Sequence, residues 1–298
     1  MTKINKHQIF FIALSFVVLY VALSIQPEVL TSFNMENEKV GKIIIYSFLF
    51  FIGLIGVGHG ALDGKIIWEH SKKISVKCKL YGVYILLVLL GAVLWVSSPF
   101  LGLSLLLLLS SVHFGFSDLG FLVDVALVYK ICWGFTMTFL PILFKPALVS
   151  VLFFDLASIN INEEIFYLIR LLIILSIFIL FYFLICGILD KSNQNSSAFK
   201  LMVFELITLI ILAYQLSPLV WFALYFCGLH GLRAILISDF KFMPDILWLI
   251  SFTAPVLLFI LLADWNYSLS SLLVVFPVLA SLTIAHMLLP WLKHSVKT

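Results

Sequence analysis

Four histidines stand inside long apolar stretches of this chain: His59, His113, His230 and His286. An ionisable group inside a membrane is costly and faces a bundle interior or a wet cavity. Neutral imidazole is also the commonest side-chain metal ligand. Four such nitrogens at one depth would make an all-imidazole site suited to iron, zinc, copper or nickel. With no anionic ligand, a divalent ion there keeps its charge and has positions left for a further ligand. Taken singly, each histidine also reads as an interhelical hydrogen bond to a serine, a tyrosine or a backbone carbonyl.

Carboxylates sit where they could steady these rings. Asp63 follows His59 by one helical turn, Asp118 lies five residues after His113, and Glu205 opens a later apolar stretch. A metal-bound histidine usually donates its second N–H to a carboxylate or carbonyl, which fixes its tautomer and aim. The aspartates read equally well as markers of a helix-to-loop boundary. Glycines crowd the same places, at Gly53, Gly56, Gly58, Gly60, Gly115, Gly228 and Gly231. Small residues let membrane helices approach closely, with or without a metal between them. Phenylalanine dominates the aromatics, 29 against 7 tryptophans and 10 tyrosines, and most of it reads as lipid contact. Phe114, Trp221 and Tyr225 lie near the histidines and could wall an apolar substrate pocket.

The elements that must carry these residues are membrane helices. The chain has 298 residues, 63% apolar and 11% charged, where a soluble domain is about 45–50% apolar and about 25% charged. That balance excludes a soluble globular enzyme and a disordered chain. The net charge of +3 comes from scattered lysines without a dense basic stripe, which excludes a nucleic-acid binder. Windows of the length needed to span a bilayer lie near 8–25, 41–59, 80–97, 100–117, 121–144, 164–188, 201–216, 219–238, 245–262 and 269–290. The fold class is all-α: a polytopic membrane helical bundle of about ten transmembrane helices, one transmembrane domain over 1–298. Cys78, Cys132, Cys186 and Cys227 form no CxxC pair and read as small buried hydrophobes.

Lysine and arginine collect on one side of this scheme, as cytoplasmic loops do. With the N-terminus inside, the inner side holds Lys3, Lys6, Lys65, Lys72, Lys73, Lys77, Lys79, Lys191, Lys200, Arg233, Lys241, Lys293 and Lys297. The outer side holds Lys39, Lys42, Lys145 and Arg170. Both termini are then cytoplasmic, in a multi-pass protein of the cell membrane. The four histidines fall on spans running outside to inside, within a layer of roughly 10 Å at about 1.5 Å rise per residue. His7, His70 and His294 read as solvated, and 68–79 as a lysine-rich inner loop near anionic headgroups.

At these residues the chain resembles the Brp/Blh family of membrane beta-carotene 15,15'-dioxygenases. The resemblance rests on Gly58-His59-Gly60-Ala61-Leu62-Asp63, on His113-Phe114-Gly115 with Asp118, on Tyr225-Phe226-Cys227 leading to His230, and on Ala285-His286. It implies symmetric cleavage of beta-carotene, or a related carotenoid, by dioxygen to retinal at Fe(2+) held by histidines. It further implies a substrate drawn from the lipid bilayer and a microbial rhodopsin as retinal acceptor. His59, His113 and His230 match the family's ligands. Ala234 stands where the family resembles a His-x-x-x-His pair, and Gly64 where a histidine commonly follows the aspartate. His286 is our reading of the fourth nitrogen. A second reading, resting on Ala234, is a non-catalytic carotenoid- or retinal-binding homologue that assists a rhodopsin.

Overall fold

The structure, a computed structural model, describes residues 2–24, 52, 54, 60–122, 124–190, 196–238, 240–262 and 270–296. The helices are α1 (Lys3–Ser24), α2 (Asp63–His70), α3 (Ile74–Ser97), α4 (Pro99–Asp118), α5 (Leu127–Phe144), α6 (Pro146–Ala157), α7 (Glu163–Leu189) and α8 (Ser196–Gln215). A composite rod follows, made of α9 (Pro218–Ala223), a π-helix (Leu224–Gly231) and α10 (Leu232–Ile237). The chain ends in α11 (Phe242–Leu262) and α12 (Ser270–Ser295). Among the described residues there is no strand, and 8 helices are long and apolar enough to cross a membrane. The protein is a polytopic helical membrane protein.

The punctuation seen in the sequence ends these helices for identifiable reasons. Ser98 breaks the run between α3 and α4, with its N–H on the Leu94 carbonyl at 2.8 Å, and Pro99 opens α4. Proline suits that position because its missing N–H would find no helical partner there. Asn162 caps α7 by accepting from the Ile165 N–H at 3.0 Å, ahead of Glu163 and Glu164 in the first turn.

Three details differ from the sequence reading. The window 121–144 begins its helix only at Leu127, because residues 119–122 turn and Asp124 takes a φ of 53°. The segment 68–79 is not a loop: α2 continues to His70 and α3 starts at Ile74. His7 lies within α1 and is buried, where it was read as solvated. The span near 41–59 lies outside the described residues except for positions 52 and 54, and the one near 245–262 corresponds to α11.

The chain divides into two compact units. The first comprises Met1–Phe48, Ser111–Leu152 and Asn160–Ser238, the second Leu49–Ser110, Phe153–Ile159 and Asp239–Thr298. In the first, α5 packs on α7 and α8, and α1 packs on α8, α10 and the π-helix. Two glycines bring the last turns of α4 against α5. A Cβ at Gly134 would overlap the Ser111 carbonyl, and one at Gly115 the Lys130 carbonyl. Backbone therefore meets backbone at this crossing, the use membrane helices make of small residues. In the second unit, α12 packs along α3, and α2 packs on α3, α11 and α12. Ile67, Leu80, Leu289 and Val296 form one of its apolar cores; Trp95, Leu103, Ala157 and Ala280 form another.

Candidate histidine site

Within the first unit, the tight crossing of α4 and α5 sets Asp118 beside Trp133. Asp118 is fully buried, and its carboxylate is held from several sides. Oδ1 lies 2.7 Å from His230 Nδ1. Oδ2 accepts from the Tyr225 hydroxyl at 2.7 Å and the Trp133 indole N–H at 3.0 Å. Arg233 adds a long contact of 3.4 Å to the Asp118 backbone carbonyl. A carboxylate offers only lone pairs, so His230 Nδ1 carries the hydrogen and its Nε2 lone pair points away from Asp118. The ring of His113 meets that of His230 edge-on, with centroids 5.1 Å apart.

The π-helix explains why two residues of one rod reach the same carboxylate. On an α-helix, at 3.6 residues per turn, residues five apart point about 140° away from each other. A π-helix closes i→i+5, so Tyr225 and His230 share a face. Aromatic rings complete the wall around His230, with Phe114 at 4.7 Å and Phe226 at 5.9 Å between centroids. Trp221 stacks on Tyr225 at 5.4 Å and donates its indole N–H to the Leu209 carbonyl at 3.0 Å.

Behind this cluster, Arg233 pairs with Glu205, and both are buried. The arginine counted from sequence on the inner side is thus buried in an ion pair. The Gln8 amide also donates to Glu205 Oε2, at 3.1 Å. Glu205 connects to the histidines through Arg233 and Asp118.

The second unit repeats the pattern of a histidine, an aspartate and a tyrosine. His286 Nδ1 lies 2.9 Å from each oxygen of Asp63, and the Tyr84 hydroxyl donates to Asp63 Oδ2 at 3.0 Å. Tyr81 donates to the Gly64 carbonyl at 2.5 Å, tying down the turn after Asp63. A side chain at Gly64 would run into the ring of Phe252, so the site where the family pattern has a histidine is packed for none.

Of the residues singled out in the sequence, Asp118, His113, His230, Phe114 and Tyr225 thus come together in the first unit, with Trp221 stacked behind Tyr225. Asp63 and His286 pair in the second unit, and His59 lies outside the described residues. Asp118 holds His230, 112 residues further along the chain. Trp133 and Tyr84 hold the two aspartates; sequence reasoning gave neither that role. The only hint was the rarity of hydrogen-bonding side chains at those depths. Among the described residues no group of three or more His, Cys, Asp or Glu side chains forms a metal cluster.

Fold and site together define a polytopic helical membrane protein with carboxylate-held imidazoles in its interior. Residues 50–293 match the family described as Beta-carotene 15,15'-dioxygenase, and the chain belongs to that family. It is 29% identical, over 83% of its own length and 93% of the relative's, to a beta-carotene 15,15'-dioxygenase from uncultured marine bacterium 66A03. No solved structure matches it.

Proposed function

We propose that this protein cleaves beta-carotene, or a related carotenoid, with dioxygen to give retinal. The observation that carries the proposal is the His230–Asp118 pair beside His113, inside the segment that matches the family. The donor chemistry fits a ferrous ion: an imidazole whose Nδ1–H is given to a carboxylate presents Nε2 as a ligand. His113 and His230 would hold Fe(2+), with His59 as a third ligand from the family pattern and His286 as the fourth in place of the histidine missing at Ala234. A bound ferrous ion supplies the activation of dioxygen.

The chain's own residues do the rest. Asp118 keeps His230 in one tautomer and one orientation. Tyr225 and Trp133 keep Asp118 from turning, and Phe114 and Phe226 keep water from the ring. A carotene is wholly apolar and dissolves in the bilayer, so it enters sideways from lipid and needs no charged anchor. Cleavage of an alkene requires no general acid or base, in keeping with a wall of aromatic rings. The distribution of lysines supports insertion in the cell membrane with both termini cytoplasmic, and a microbial rhodopsin is the proposed acceptor of the retinal.

Expression in a carotene-accumulating host, beside His113→Ala and His230→Ala variants, tests this reading. Wild type should bleach the cells and yield retinal, and the variants should not. Well-expressed wild type that leaves the carotene intact would overturn it. Retinal binding by such a protein would instead favour the non-catalytic reading that Ala234 suggests.

A further inference from the structure

Helix α1 lies outside residues 50–293, the part of the chain that carries the family match, yet it reaches the histidine site by two polar routes. Its outward face is apolar, with Ile9, Phe10, Phe16, Val17 and Tyr20 exposed. Its buried residues include Asn5, His7, Gln8, Phe11 and Ser15. Polar groups inward and apolar groups outward suit a helix docked on a bundle within lipid.

The first route runs through the π-helix. His7 Nε2 lies 3.0 Å from the carbonyl oxygen of Gly228, two residues before His230. A carbonyl only accepts, so His7 is the donor. Phe11 closes over the same glycine, where a Cβ would stand 3.5 Å from its ring. The second route runs through the buried ion pair. Gln8 donates to Glu205 Oε2, the oxygen that also takes Arg233. Arg233 touches the Asp118 carbonyl, and the Asp118 carboxylate holds His230. One route ends on the helix that carries His230, the other on its carboxylate.

We propose that α1 is a positioning element of this site. His7 fixes the widened turn that precedes His230, and Gln8 steadies the Glu205–Arg233 pair. A π turn is rare and found mostly at functional sites; a contact from outside the rod can hold its register. A buried ion pair is favourable only when further hydrogen bonds satisfy its remaining lone pairs, and Gln8 fills one on Glu205 Oε2. The activity arm of the test rests on the dioxygenase reading; the exchange arm does not.

The full chain in detergent would be compared as wild type, as the double variant His7→Leu/Gln8→Leu, and as His7→Gln, which keeps an N–H donor. Amide hydrogen exchange would be followed over 224–237, with α7 as the internal reference. The double variant should exchange about tenfold faster over 224–237 with α7 unchanged, and His7→Gln should stay within about twofold of wild type. With beta-carotene, kcat for retinal should fall about tenfold in the double variant at unchanged KM, and His7→Gln should stay within about twofold of wild type. Unchanged exchange over 224–237 in a folded double variant overturns the proposal, as does equal acceleration in α7. If the double variant does not accumulate, His7→Leu and Gln8→Leu singly are read by the same criteria. Wild type that makes no retinal would sink the dioxygenase reading and leave the exchange result to decide the role of α1.

Discussion

His230 Nδ1 and Asp118 Oδ1 lie 2.7 Å apart with both side chains buried, and His286 Nδ1 and Asp63 stand in the same relation at 2.9 Å. Each pair is completed by a tyrosine hydroxyl on the carboxylate. A histidine held in this way has one nitrogen committed and the other aimed by the protein.

Asp118→Asn keeps the shape of the side chain and removes its charge. An amide that turns its oxygen to His230 must present its nitrogen to donors that need an acceptor. Iron per chain and retinal yield should both fall by about 10–100-fold, read by elemental analysis of purified protein and by chromatography of cell extracts. Wild-type iron content in the variant would remove Asp118 from the support of the site.

Tyr225→Phe separates two roles for this residue. If the hydroxyl steadies Asp118, kcat should drop while KM for the carotenoid holds, and stability should fall by about 0.5–1.5 kcal/mol. A higher KM with unchanged kcat would instead place Tyr225 against the substrate.

Arg233→Met strands Glu205 as an unpaired buried carboxylate, which should cost about 3–5 kcal/mol. Combining it with Glu205→Gln should recover most of that loss, because both charges are then gone. Thermal unfolding in detergent checks the pair of results; a double variant no more stable than Arg233→Met would contradict the buried ion pair.

His286→Ala addresses the second unit. Loss of bound iron with the fold intact is the expected outcome for a ligand imidazole. If metal content and retinal yield both stay at wild-type values, His286 is a structural partner of Asp63 and nothing more.

Much of the architecture is legible in the amino-acid order because lipid imposes a simple test: an apolar run of sufficient length is a helix. Ser98-Pro99 and Ser217-Pro218 mark breaks by known chemistry. The partners of the histidines are another matter. Asp118 looks like a companion of His113, five residues away, but binds His230, 112 residues on. That choice depends on the α4–α5 crossing at Gly115 and Gly134 and on the π-helix. A π turn leaves no periodic trace in a segment apolar on every side. His7 looks solvated because Lys3 and Lys6 precede it, although the long apolar run of α1 begins two residues later at Ile9.

The spacing of the two aspartate–histidine pairs along the chain sets an order of assembly. Asp118 is synthesised long before the imidazole it holds. At about 5–20 residues per second, the ribosome needs roughly 6–22 s to add the 112 residues up to His230. Asp118 is the last residue of α4, so that helix is complete while its carboxylate still lacks the imidazole. Asp63 waits through 223 residues for its own imidazole. The Asp118–His230 pair can therefore close once the π-helix is made, whereas the Asp63–His286 pair must wait for α12.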